Sequence, residues 1–389
     1  MRLGIHRILI VTALLIVGNA RGQDYTGWAA GEVAGGSGTI MYTADSGNSW
    51  IRQGVGQLTN AGLSGIKAVD PETAWAVGLP DSSGYATIYQ TTDAGVNWIR
   101  RGNGQAALAK AELRKVQTAG PDNIWAAGSY IDGGITYGVI AHSADGGATW
   151  ENQYPSTLPG NELQGLYTHD GQHIWATGTP QDGYALVLHS DDGGQSWTRQ
   201  VGGDIVNWTH INGISAASHS QIWAIPGVEI GGSAGNGIIY SSDGGTNWSR
   251  QTDAFGGLYD GNEIDVVDSQ VIWAVNDTDI LRTTNGGADW EASGQNATYI
   301  MGVCGASERE AWAVLHGEEF LGGQLAEFGA IYHTTDGGQT WSTFGGSESE
   351  IAPLWTIDMV AIPEPGGLAL AIMGSLLVVF LFKRFVYLM

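Results

Sequence analysis

One cysteine, four lysines and ten prolines are all that this 389-residue sequence carries of those types. The lone Cys304 has no internal disulfide partner, so the fold must be held by packing. Basic residues number 16 against 39 acidic, a formal charge of −23. Within residues 23–361 the balance is 11 basic to 38 acidic, or −27. A surface this acidic repels phosphate backbones, which excludes nucleic acid as a partner. Anionic lipid is disfavoured for the same reason. Abundant instead are glycine, with 61 residues, and tryptophan, with 16. That excess, with so few helix-forming charged residues, predicts an all-β chain of many short strands.

Both ends read as export signals. Arg2, His6 and Arg7 precede the apolar run ILIVTALLIV (8–17), and Ala20 and Gly22 suit a cleavage site before Gln23. Residues 1–22 are therefore expected to be a secretory signal peptide. At the other end Pro363-Glu364-Pro365 is followed by an apolar stretch, Leu368 to Phe382, and then by Lys383-Arg384. The 15-residue stretch is somewhat short for a spanning helix, which needs about 20 residues. In its order of motif, apolar run and basic end, the segment 362–389 resembles the PEP-CTERM sorting signal of Gram-negative bacteria. It departs from that pattern in the extra FVYLM at its end. The resemblance implies transient membrane anchoring, processing by an exosortase, and delivery to the cell surface, outer envelope or extracellular matrix.

Between the ends lies a repeat. TADSGNSW (43–50), TTDAGVNW (91–98), SADGGATW (143–150), SDDGGQSW (190–197), SSDGGTNW (241–248), TTNGGADW (283–290) and TTDGGQTW (334–341) share one pattern. The closing tryptophans are 42 to 52 residues apart. A second series interleaves: WAAG at 28, WAVG at 75, WAAG at 125, WATG at 175, WAIP at 223, WAVN at 273 and WAVL at 312. This period, built of short β segments, predicts a single seven-bladed β-propeller over residues 23–361. PLWTIDMVA (353–361) looks like an inner strand, yet no WAx segment follows it. It is expected to complete the first blade beside the N-terminal strand and so close the ring.

Asp45, Asp93, Asp145, Asp192, Asp243 and Asp336 occupy one position of the repeat, with Asn285 at the seventh. Asn keeps an acceptor oxygen but lacks a carboxylate. The series therefore reads as a turn device, with glycine supplying positive φ and the Asp side chain accepting backbone N–H groups. The octapeptides resemble the Asp-box of BNR-type propellers, where the motif is a structural clamp. The alternation of WAxG with Asp-boxes also resembles the photosystem II stability and assembly factor family. That likeness implies the fold and, as an alternative function, an assembly chaperone.

Binding is expected on the face opposite the Asp-boxes, whose connections vary in length. They include SYIDGGITYG (129–138), PGVEIGGSAGNG (226–237), NDTD (276–279) and LHGEEFLGGQLAEFG (315–329). Trp208 falls outside both repeats, near Asp204, Asn207 and His210, and is the candidate for stacking on a sugar. Glu318 and Glu319 are further ligand-binding candidates. Trp355, in the closing strand, reads as core. His142, His189 and His333 share one strand position in three separate blades, so they are expected to pack rather than to bind one ion. Arg52, Arg100, Arg199 and Arg250 recur two residues after an Asp-box Trp. Arg100, Arg101, Lys110, Arg114 and Lys115 crowd into 16 positions and offer a possible anion-docking patch.

A sialidase-like hydrolase needs an Arg-Ile-Pro segment that is absent here, and a xyloglucanase-type enzyme pairs two propellers where this chain has room for one. A carboxylate pair among Asp279, Glu318, Glu319 and Glu327 keeps the glycoside hydrolase as an alternative. The favoured expectation is a non-catalytic binder of a protein or polysaccharide, with no cofactor and no metal.

Overall fold

The computed structural model describes residues 23–158, 161–181, 184–227, 237–252, 261–293, 299–321, 324–345 and 351–363. The predicted signal peptide and the sorting tail beyond Pro363, including Glu364 and Pro365, lie outside these residues. Tyr25–Ile362 form one compact unit, distinct from the two end segments.

Seven four-stranded antiparallel sheets make up that unit. Blade 2 shows the plan: Leu63–Ala68, Ala74–Pro80, Ala86–Thr91 and Ile99–Arg100, counted from the inner strand outward. Blade 1 draws its inner strand, Leu354–Ala361, from the far end of the unit. That strand pairs with Tyr25–Ala34 in a register that sets Tyr25 opposite Ala361 and Ala29 opposite Ile357. The ring thus closes as the unpaired PLWTIDMVA segment predicted.

Each WAx strand is buried because neighbouring blades cover both its faces, which explains its unbroken apolar run. The side chains divide into seven apolar clusters, one at each blade-to-blade interface. Between blades 2 and 3, for example, Trp75 and Val77 pack with Leu113, Val116, Ile124 and Trp150. At the closing interface Leu354 and Ile357 pack against Trp312, Val314 and Ile331 of blade 7. The small Ala after each WAx tryptophan lets the next blade approach closely; Ala29, Ala76 and Ala126 are wholly buried.

The Asp-box works as a clamp. In blade 7 the Thr334 hydroxyl donates to Asp336 Oδ1 at 2.9 Å and accepts the Gly338 N–H at 2.9 Å. Asp336 also accepts the Thr340 N–H at 2.9 Å and the Thr340 hydroxyl at 2.6 Å. Gly337 and Gly338 hold φ of 78° and 81°, where a side chain is strained. The same network recurs around Asp45, Asp93, Asp145, Asp192 and Asp243. The tryptophan folds back over the turn: Trp150, Trp197 and Trp248 each donate their indole N–H to the carbonyl of the second glycine.

His142, His189 and His333 stack face-on against the WAx tryptophans of their own blades, at centroid distances of 4.6, 4.7 and 4.8 Å. In blades 1 and 5 Tyr42 and Tyr240 take the same position against Trp28 and Trp223. Arg282 takes it in blade 6, with its guanidinium over Trp273. The position selects any flat group that covers an indole. Packing, as expected, accounts for these histidines.

Two of the variable connections are not irregular. SYIDGGITYG is the end of a hairpin between Ile124–Asp132 and Ile135–Ser143, with Tyr130 stacked on Tyr137 at 5.1 Å. LHGEEFLGGQLAEFG is likewise a hairpin, formed by Ala311–Leu321 and Gln324–Thr334. In both the strand pairing simply continues past the core, and in the first the Tyr130–Tyr137 pair supports it. Of PGVEIGGSAGNG, positions 228–236 lie outside the described residues. Among the described residues no helix is long and apolar enough to cross a membrane.

Candidate functional site at the channel mouth

The inner strands line a central channel, and each carries the same irregularity. In blade 2 Leu63 pairs with Gly78 and Gly65 with Val77, so Ser64 is an extra residue without a partner. The same slip leaves Arg114, Gln164, Asn212, Asn262 and Met301 extra in blades 3 to 7. In blade 1 Trp355 is the extra residue, between Leu354 and Thr356. A bulge of this kind bends the strand and re-aims one side chain. Repeated around the ring, it sets these residues at the rim of one opening. They line a cavity of about 330 Å³, together with Glu32, Leu79 and Lys115. The cavity lies on the face opposite the Asp-boxes, where variable connections led us to expect binding.

The rim is polar, and most of its groups are held in place. Arg114 pairs with Glu162 at 2.5 Å. Asn212 donates its amide to the Gly261 carbonyl at 2.7 Å, and Asn262 donates to that of Ile300 at 2.7 Å. Both bonds cross to the next blade and leave each amide oxygen with acceptor capacity. The Gln164 Oε1 is buried without a donor among the described residues. The Trp355 indole N–H donates to Glu32 at 3.0 Å, and the edge of the ring meets His316 at 5.1 Å. Trp355 is therefore a half-buried rim residue, which corrects its reading as core. The bulge turns it out of the interface that Leu354 and Ile357 enter.

Below the rim the channel narrows. Lys115 reaches across from blade 3 to Glu263 of blade 6 as an ion pair that bars the passage. The next layer holds Lys67, Tyr167, Ser215, Asp265, Cys304 and Asp358. Several of these tie one blade to the next. Asp358 accepts the Ala68 N–H at 2.7 Å and pairs with Lys67 at 3.0 Å, while Asp265 accepts the Gly305 N–H at 2.8 Å. Burial pushes the Asp265 carboxyl up to about 6, although the Gly305 N–H and Lys67 pull the other way. Desolvation opposes the charge on Lys67, but Asp358 outweighs it and raises that ammonium above its ordinary value. Burial pushes the Cys304 thiol up and keeps it protonated.

Trp208 is not at this site. It is 1 % exposed and packs with Ala185, Val187, Ile205 and Trp248 in the interface of blades 4 and 5. Arg250 lies over its ring at 5.0 Å, so neither face is open to a sugar. Asp204 is engaged too, accepting the Arg250 N–H at 2.9 Å. His210 is half-buried beside Thr209, whose hydroxyl lies 2.9 Å from its Nδ1. The loop folds onto its own blade because Ile205 and Trp208 fill an apolar gap that the barely two-residue outer strand, Thr198–Arg199, leaves uncovered.

The backbone positions of Glu318 and Glu319 lie opposite Glu327 and Ala326 along the blade 7 hairpin. Asp279 is held in its own turn, accepting the Thr278 hydroxyl at 2.9 Å. The basic cluster is dispersed: Arg100 pairs with Asp81, Arg101 with Gln90, and Lys110 with Asp132. Among the described residues no three His, Cys, Asp or Glu side chains converge as a metal set. The rim was missed because its residues share no chemistry. Its one signal is positional, a variable residue after the first apolar residue of each inner strand.

Residues 332–343 match the family described as BNR/Asp-box repeat. A sequence comparison with characterised proteins finds no significant match. Among solved structures the chain is similar to YCF48 bound to D1 peptide, at 15% identity and TM-score 0.53, over 75% of this chain and 85% of that one. It is also similar to a putative 6-phosphogluconolactonase from Bacteroides uniformis ATCC 8492, at 12% identity and TM-score 0.51, over 87% and 100% of the two chains. The GH74 enzyme from Niastella koreensis follows at 14% identity and TM-score 0.49, over 82% and 56%. Identities this low speak to fold alone. The seven closed blades, with the two likenesses of TM-score above 0.5, make the fold a seven-bladed β-propeller, and its turns at residues 332–343 match the BNR/Asp-box repeat.

Proposed function

We propose that this protein is an exported, non-catalytic binding module whose ligand, a protein segment or a polysaccharide strand, seats in the channel mouth. The observation that carries this reading is the bulge ring. In the WAx strands and the Asp-box turns the blades repeat one residue type or one shape. At the bulge they present Ser64, Arg114, Gln164, Asn212, Asn262, Met301 and Trp355 around a single cavity. Amide oxygens and an indole held at fixed points suit a neutral chain rich in hydrogen-bonding groups, and they work without the positive charge this protein lacks. The likeness to YCF48 with its D1 peptide supports a protein segment, since a propeller of this build accommodates one.

Export rests on the signal-peptide pattern and on the tail that resembles a PEP-CTERM signal, with exosortase as the implied processing partner.

Capture of envelope components by the full-length protein, alongside a glycan array, tests the reading. Trp355→Ala and Arg114→Gln should each lower capture at least tenfold with little change in melting, and no reducing sugar should be released from any captured polymer. Capture unchanged in both variants, or turnover of the polymer, overturns it.

A further inference from the structure

Two further histidines, His173 and His219, meet on the Asp-box face. The turn THDGQH (168–173) joins the first two strands of blade 4, Leu163–Thr168 and Ile174–Gln181. The equivalent turn of blade 5, between Ile211–Ala216 and Ile222–Pro226, carries His219. Adjacent blades bring equivalent turns side by side, and here each turn contributes an imidazole.

We propose that His173 and His219 form a two-imidazole site for a divalent transition-metal ion on the Asp-box face, with Asp170 orienting His173. The ring centroids are 5.4 Å apart and the planes are inclined by 31°. Two imidazoles bound at ~2.0–2.1 Å to one tetrahedral ion place their ring centres about 5 Å apart. The rings are therefore already near bridging distance.

Asp170 adds the feature that metal-binding histidines most often share. Its Oδ2 lies 2.7 Å from His173 Nδ1, while its Oδ1 accepts the backbone N–H groups of Gln172 at 2.9 Å and His173 at 2.8 Å. A carboxylate fixed in this way accepts a hydrogen bond from Nδ1–H, sets the tautomer and leaves Nε2 as a ligand. Beside the rings is a cavity of about 170 Å³, bordered also by His169 and Ser218. It has room for an ion with bound water. Because no third side chain converges among the described residues, the chain supplies two ligands. The remaining positions fall to water or to a donor from a partner.

Packing accounts for His173 only in part, its ring running nearly parallel to those of Trp175 at 6.3 Å and His189 at 6.2 Å, and does not account for His219. The nearest indole, Trp175, is already covered by His189 at 4.7 Å, whereas His173 stands off at 6.3 Å. His219 is exposed, and its ring meets no tryptophan within that range.

Calorimetric titration of Zn²⁺ alone into the full-length protein tests the site, with chemical shifts of the imidazole protons as a second readout. One saturable Zn²⁺ per chain is expected, shifting the signals of His173 and His219. His173→Gln and His219→Gln should each abolish that step. Asp170→Asn should weaken it by about 10–100-fold. His142→Gln, on another blade, should leave it unchanged. Absence of a saturable step, or a step that survives in either His173→Gln or His219→Gln, overturns the proposal. Should one of these variants fail to fold, the other, on a different blade, still decides.

Discussion

Asn285 donates its side-chain amide to Asp289 at 3.0 Å, reversing the direction of the bond made by the other copies of this turn. Elsewhere an aspartate at the first position accepts from a hydroxyl or amide four residues on, as Asp93 does from Asn97 at 2.6 Å. In blade 6 donor and acceptor have exchanged places, and the backbone bond from the Asp289 N–H to Asn285 Oδ1, at 2.9 Å, is kept. The turn therefore needs one donor and one acceptor at the two positions and is indifferent to their order.

Asn285→Asp should accordingly set two carboxylates against each other and lower the melting temperature by about 1–3 °C. Adding Asp289→Asn should restore it, because the pair then matches the Asp243–Asn247 arrangement of blade 5. A double variant no more stable than the single one would refute the exchange.

Acid should act on this protein in two opposite senses. Asp145, Asp192 and Asp336 are held down to about 2 by side-chain and backbone hydrogen bonds from residues four positions on. Their contribution is complete above the unfolded value of ~3.9 and is lost as pH falls towards 2. Asp265 is pushed by burial up to about 6, so between roughly 6 and 4 the native state holds a proton that the unfolded chain has released. Its contribution grows as pH falls through that window. As pH falls from 7.5 to 3, melting temperatures should rise towards pH 4–5 and then drop, and Asp265→Asn should flatten that rise while leaving the drop at lower pH.

Trp208→Ala should damage the fold rather than a binding surface. Emptying a 1 %-exposed indole site between two blades should cost about 3–5 kcal/mol, measured by denaturant unfolding. A near-neutral result would return Trp208 to the list of ligand contacts.

Ending the chain at Ser349 removes Leu354–Ala361 and leaves the inner edge of Tyr25–Ala34 unpaired, along with the apolar surface covered by Leu354 and Ile357. Aggregation or a much lower melting temperature is expected. A chain ending at Ile362 should melt like the intact one, and equal melting of the two shortened chains would refute closure by this strand.

Much of this architecture is decided by local chemistry and can be read from one sequence. The Asp-Gly turn specifies its own geometry through bonds spanning four residues, and the WAx strand declares burial on both faces by being apolar throughout. Repetition then multiplies those signals, and the one inner strand left over at the end determines how the ring must close. His142, His189 and His333 could be assigned to packing for the same reason, since they recur at one strand position of the repeat, where each covers the WAx tryptophan of its own blade.

What the sequence left undecided depends on which blades become neighbours and on where a strand slips its register. Trp208 broke the periodicity and so looked available, but only the packed interface of blades 4 and 5 supplies the gap that it fills. Trp355 looked like core because it lies in an apolar strand, and a bulge of a single residue turned it out to the rim. His173 and His219 are 46 positions apart in the sequence and meet only because equivalent turns of adjacent blades lie side by side. The seven bulge residues, from Ser64 to Trp355, share a position in the inner strand but no common chemistry. They become one site because closure of the ring points the same position of every inner strand into a common opening.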